Sequence, residues 1–133
     1  MRQSTKRPVV VIELNLYDQD LELGVLYSAG LAFVPALGSY KGMTNRSYVL
    51  DIGREGEFYG EIDQSKLNIA LDLASKHKQE SVLMLDSNRR AQLYYIESQE
   101  LVDLGQLSAI GKTVADASEA WTLVNGTYYG TEV

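Results

Sequence analysis

Val9-Val10-Val11-Ile12 places four β-branched residues in a row. Such side chains lose rotamer freedom in a helix and pack well on a pleated surface. The run reads as a strand, and alternation carries it on through Glu13-Leu14-Asn15-Leu16-Tyr17. A strand over residues 8–16 that is apolar on both faces belongs at the centre of a sheet. The rest of the chain must therefore cover two faces and supply a neighbour on each edge.

The covers and neighbours follow in order. Asp18 or Asp20 caps a helix whose apolar face is Leu21, Leu23, Val25, Leu26 and Ala29, and Gly30 ends it. Residues 31–37 form a second strand, in which Pro35 argues for an edge or a bulge. Ser47 to Ile52 is a third strand, and Gly53 to Gly60 is an exposed glycine-rich stretch. Asp63 or Ser65 caps a second helix carrying Leu67, Ala70, Leu71 and Ala74, with Lys76, His77 and Lys78 at its cation-favouring end. Residues 79–86 and 91–96 are strands joined by Ser87-Asn88-Arg89-Arg90. This order predicts an α+β fold: a mostly antiparallel sheet with two main helices on one face, close to a split βαβ arrangement.

The last third is harder to read. Leu101 to Gly111 is apolar without a clean period, and Thr113 to Ala120 suits a short helix. Trp121 to Tyr129 is a hairpin, because Asn125-Gly126 fits a type I′ turn. The expected organisation is one domain over 1–133: a polar tail (1–7), an α+β core (8–97) and a C-terminal extension with its hairpin (98–133).

Composition narrows function. The chain of 133 residues has no cysteine and a single histidine, His77, so thiolate metal sites and two-histidine relays are excluded. His77 reads as a solvated residue at a helix end. A net charge of −6 argues against duplex nucleic acid as partner, since that affinity comes largely from neutralising phosphates. No apolar run is long enough to suggest a membrane span. Glu55, Glu57, Glu61 and Asp63 match no calcium-loop spacing and read as a solvated acidic loop. No nucleophile elbow, phosphate loop or dinucleotide fingerprint is present, which points away from an enzyme. No cofactor is expected.

Two short stretches gather positive charge. Gly38-Ser39-Tyr40-Lys41-Gly42-Met43-Thr44-Asn45-Arg46-Ser47 sets two cations beside glycines and hydroxyls. Such a loop can grip a small anion through cations and backbone amides, or it can be an ordinary strand connection with its polar groups in water. Asn88-Arg89-Arg90 offers an amide that reads a base edge and guanidinium groups that pair with phosphate, or it is simply a polar hairpin tip. Nine tyrosines supply half-buried sheet faces or stacking surfaces.

Leu37 to Gly42 continuing to Arg46-Ser47-Tyr48-Val49, together with Gln79 to Asp86 and Asn88-Arg89-Arg90-Ala91, resembles phage-encoded Thoeris anti-defence sponge proteins of the first type. The resemblance covers roughly residues 9–97. It implies a non-catalytic protein that sequesters glycocyclic ADP-ribose, and also cyclic oligonucleotides, in the cytoplasm of an infected bacterial host. It carries ligand binding onto Lys41, Arg46, Ser47, Asn88, Arg89 and Arg90, and implies a homo-oligomer holding a small anionic, nucleotide-like ligand. Two other classes stay open: an enzyme on a nucleotide-like molecule using Glu57 or Glu61, and an acidic inhibitor that binds a host protein.

Overall fold

The computed structural model describes residues 7–13, 19–40, 43–117 and 120–131. Eight strands are present: β1 Val9–Glu13, β2 Phe33–Tyr40, β3 Met43–Asp51, β4 Ser81–Leu85, β5 Arg90–Tyr95, β6 Leu101–Ile110, β7 Ala120–Val124 and β8 Thr127–Thr131. Three α-helices accompany them: α1 Gln19–Ser28, α2 Gln64–Lys76 and α3 Lys112–Ala117. The strands close into one antiparallel barrel in the order β1-β3-β2-β7-β8-β6-β5-β4.

This corrects the α+β expectation. The sheet has no separate extension: β6, β7 and β8, from the last third of the chain, join β5 to β2 and close the ring. The reason lies in β6. Its register slips opposite Ala91 and Gln92, where Gly105 takes a φ of 97°. A bulge inserts one residue and flips the phase of alternation, so the strand shows no period of two in sequence. Its first two residues are also exposed, with Leu101 at 53 % and Val102 at 42 %.

The buried core lies outside the barrel, between the sheet and the helices. Val10 and Ile12 of β1 and Tyr48 and Leu50 of β3 pack with Ile52 against Leu26 of α1 and Leu67, Ala70, Leu73 and Ala74 of α2. These are the even-numbered residues of both strands, so the odd-numbered ones face the barrel lumen. Truncating a fully buried residue such as Leu50 to alanine removes about 2–5 kcal/mol. Asp63 begins α2, its carboxylate accepting from the backbone amides of Ser65 at 3.0 Å and Lys66 at 3.4 Å.

Following the pairs around the ring exposes its stagger. From Asp51 the path runs through Val9 and Leu85 to Ala91 and Gly105. It resumes through Leu107 and Thr131, crosses β7 to Tyr40 beside Ala120, and returns to β3 at Met43. The circuit slips by most of the length of β3. Such a shear tilts the strands and sets the width of the barrel.

At the far end of β3 a clasp ties four segments. The Asp51 carboxylate accepts from Arg7 Nε at 2.6 Å and from the Gly53 amide at 2.8 Å. The Gly53 carbonyl accepts from both Arg7 Nη2 and Lys66 Nζ at 2.9 Å. Arg89 Nη1 donates to the Arg7 carbonyl at 2.7 Å. A Cβ at position 53 would lie 2.6 Å from the Tyr59 carbonyl oxygen, a backbone atom that cannot swing away. Gly53→Ala is therefore expected to lower stability by about 1–3 kcal/mol in denaturant unfolding.

A second expectation concerns acid. Hydrogen bonds from Arg90 hold the Asp103 carboxyl below its ordinary range. Its contribution is present above the unfolded carboxylate range and is lost as pH falls through the lowered folded value. Asp103→Asn is expected to be less stable than wild type near neutral pH, and the gap should close as pH drops below about 4.

Candidate functional site

An eight-stranded barrel is wide enough either to be filled by its own side chains or to hold one small ligand. Here the fully buried large side chains other than Pro8 are Val10, Ile12, Leu26, Leu50, Ile52 and Val82, and all belong to the core layer shared with the helices. The lumen side is different. Val11 of β1, Ala36 of β2, Val49 of β3, Leu83 of β4 and Leu93 of β5 are only half-buried and remain within reach of water. Their registers put them on one inward surface: Val11 opposite Val49 and Leu83, and Leu83 opposite Leu93. The result is an apolar wall with accessible surface, the usual lining of a small-molecule site.

Polar groups stand on the same surface. Ser47, 4 % exposed, donates from Oγ to Asn45 Oδ1 at 3.0 Å. Gly38 lies opposite Asn45 and next to Ala36. A Cβ there would come within 2.9 Å of Asn45 Oδ1 and 3.3 Å of Ser47 Oγ, so the missing side chain leaves a notch beside that amide–hydroxyl pair. Thr122 of β7 pairs with Gly38, and Tyr129 of β8 pairs with Thr122, which continues the row of polar side chains. Glu13 ends β1 opposite Ser47. Partial burial raises its carboxyl pKa above the ordinary value. Its backbone amide donates to Gln79 Oε1 at 3.0 Å.

The residues singled out from sequence fall in several places. Lys41 lies outside the described residues. Arg46 is an exposed residue near the start of β3, on the face opposite the lumen, and pairs in register with Leu37. Ser47 is on the lumen surface. Asn88 and Arg89 sit in the β4–β5 turn and Arg90 opens β5, beside the end of β3 that Arg46 precedes by about 17 Å of strand. Among the described residues, Arg46 and the turn do not converge within one chain.

The turn is also heavily occupied. The Asp86 carboxylate accepts from the amides of Asn88 and Arg90 at 2.8 and 2.9 Å. Arg90 forms a two-point ion pair with Asp103 on β6, its Nε donating at 2.9 Å. Arg89, at φ 64°, is half-buried and tied to the Arg7 and Asp86 carbonyls. Burial lowers its pKa, against Tyr129, Asp86 and Asp51, which raise it. The acidic loop resolves into structural pairs: Glu55 with Lys66, Glu61 with Arg54, and Asp63 as helix cap. Among the described residues no three acidic or histidine side chains gather as metal ligands.

Sequence reasoning missed Glu13 and Gly38. The signal for Glu13 was present as a charge closing an apolar central strand, where it read only as the break in the run.

The fold is a closed antiparallel barrel whose inward face carries an apolar wall and a polar row. Residues 17–132 match the model of the S-adenosylmethionine lyase family, and the chain belongs to that family. No curated protein matches the chain. The match overturns the sponge reading, and with it glycocyclic ADP-ribose, the Thoeris assignment and the expectation that the chain is not an enzyme. A lyase breaks a bond in what it binds, whereas a sponge leaves its ligand intact. The missing motifs misled because they mark particular hydrolases and nucleotide-binding folds, not enzymes in general.

A lumen-filling change tests the placement of the site. Ala36→Leu, on the inward face of β2, is expected to lower kcat/KM for S-adenosylmethionine at least about tenfold, a loss of about 1.4 kcal/mol of transition-state stabilisation. The melting temperature should stay within a few degrees of wild type.

Proposed function

We propose that this protein is a lyase that cleaves S-adenosylmethionine within the barrel. The observation that carries the reading is the family match across residues 17–132. It replaces the immune-signal ligand with a methyl donor, and removing that donor would starve host methylation; this keeps an anti-defence setting while changing the chemistry.

The substrate supplies its own reactants. Its sulfonium is an activated leaving group, and its α-carboxylate lies three carbons away along the same chain. Attack of a carboxylate oxygen on Cγ closes a five-membered lactone. The new bond is O–Cγ and the broken bond is Cγ–S. The electron pair of that bond goes to sulfur, which leaves as the neutral thioether of methylthioadenosine. The ammonium stays on homoserine lactone, no proton moves, and no water enters.

The lumen suits such a step. A negative carboxylate and a positive sulfonium neutralise each other as the transition state forms. Water stabilises the separated charges and so opposes the reaction; a wall of Val11, Val49, Leu83 and Leu93 does not. Folding the methionine chain so that carboxylate and Cγ are in contact adds the advantage of a pre-arranged intramolecular reaction. The overall charge also fits. S-adenosylmethionine carries a net charge of +1 at neutral pH, and a protein at −6 attracts it over distance.

Incubation of the purified protein with S-adenosylmethionine, followed by chromatography and mass spectrometry, is the test. Equal amounts of methylthioadenosine and homoserine lactone are expected. In ¹⁸O-labelled water the lactone should form unlabelled when sampled before it hydrolyses. Unchanged substrate, or homoserine released directly with ¹⁸O at Cγ, counts against the proposal.

A further inference from the structure

We infer that the side chains of Arg7, Asp51 and Arg89 close one end of the barrel, so that a substrate enters and products leave through the other end. The consequence for cleavage rests on the lyase reading; the closure itself does not.

The placement comes from register. Asp51 pairs with Val9, Val9 with Leu85, and Leu85 with Ala91, which makes one row across four strands. Each member lies two residues from a member of the apolar wall, Val49, Val11, Leu83 or Leu93, so the row faces inward as that wall does. It is the row nearest the β4–β5 turn. Arg7 precedes Val9 by two residues, and its Nε donates to the Asp51 carboxylate at 2.6 Å. Arg89 precedes Ala91 by two residues. Its carbonyl accepts from the Leu107 amide of β6 at 2.8 Å. Its Nη1 donates to the Arg7 carbonyl, just ahead of β1, at 2.7 Å. In the ring, β5 and β4 stand between β6 and β1. One residue therefore ties two separated sides of the barrel's end, and its side chain lies as a bar across that end.

Water access follows this arrangement. Leu85 and Ala91, the members of the row on the two strands that flank the turn, are 7 % and 0 % exposed. On the next row, Val34 opposite Val49 and Val102 opposite Leu93 are 38 % and 42 % exposed. The inward face is driest beside the charged side chains.

The turn itself does not need the arginine. The Asp86 carboxylate accepts from the amides of Asn88 and Arg90 and sets the bend. Arg89 takes a φ of 64°, a left-handed conformation that glycine adopts with less strain. The backbone favours glycine there, so the arginine serves through its half-buried side chain.

For cleavage, the closed end keeps a competitor out. A water oxygen that bonds to Cγ displaces the sulfur, which leaves with the Cγ–S electron pair, and a proton is lost to solvent. The product is then homoserine and not the lactone. With one end barred, the substrate itself fills the remaining way in and excludes water from the reacting atoms.

Hydroxyl-radical labelling read by mass spectrometry tests the closure on the substrate-free protein. Arg89→Gly removes the bar and suits the turn, so its melting temperature should stay within a few degrees of wild type. Leu85 is expected to label at least about threefold faster in Arg89→Gly, with Val102 unchanged. Arg89→Asn, which also tolerates the left-handed backbone, should behave the same way. Arg90→Ala frees the neighbouring outward arginine from Asp103 and should leave Leu85 protected. Unchanged labelling of Leu85 in both Arg89 variants overturns the closure. Equal gains in the Arg89 variants and in Arg90→Ala mean a loosened hairpin and also overturn it. In ¹⁸O-labelled water, Arg89→Gly is expected to raise at least about fivefold the share of homoserine labelled on its Cγ hydroxyl, a position that hydrolysis of the lactone at its carbonyl does not label. An unchanged share overturns the water-excluding role. A wild-type protein that cleaves nothing counts against the lyase reading alone, since the labelling decides the closure without substrate.

Discussion

The closure of the sheet is the constraint on which the rest depends. Eight antiparallel strands in a staggered ring leave an inside and an outside, and the chain spends its best packing on the outside. Val10, Ile12, Tyr48, Leu50 and Ile52 meet two helices there, and that layer supplies the hydrophobic stabilisation. The inward face mixes buried Leu85, Ala91 and Ser47 with half-buried side chains such as Val11, Ala36 and Val49. A barrel stabilised through its inner surface would have to fill it. One packed from outside need not be filled by its own side chains.

The charged pairs serve the closure of the ring. Arg7, Asp51, Lys66 and Arg89 fasten the end of β3 to the start of α2 and to the β4–β5 turn. Arg90 and Asp103 bind β5 to β6 across the bulge at Gly105. These pairs hold the ring closed where its register is least regular. The polar groups on the lumen surface are fewer and mostly uncharged, Ser47 and Asn45 among them. An apolar wall with a polar row matches a zwitterionic, sulfonium-bearing nucleoside better than it matches the phosphate-rich anion implied by the two cationic loops.

How much of this was legible in the sequence follows from what each segment depends on. Val9 to Ile12 and the Leu67–Ala74 face announce themselves because local pattern and burial agree. So does the Asn125-Gly126 turn, whose two residues take φ of 50° and 80°. Barrel closure was not legible. It rests on pairs far apart in sequence, Leu37 with Leu123 and Leu107 with Thr131, and on a strand whose bulge erases its alternation. The site was obscured for a related reason. Arg89 and Arg90 look like ligand groups in sequence, and only the folded chain shows them taken up by Arg7 and Asp103. Glu13 and Gly38 look ordinary until register sets them on one inward surface with Ser47 and Asn45.

A crystal structure of the protein with S-adenosylhomocysteine tests the central claim most directly. The account predicts the ligand inside the barrel, its thioether against Val11, Val49 and Leu93. Density for the ligand on the helix-covered exterior or at the Arg89–Arg90 turn, with the lumen holding only water, would contradict it.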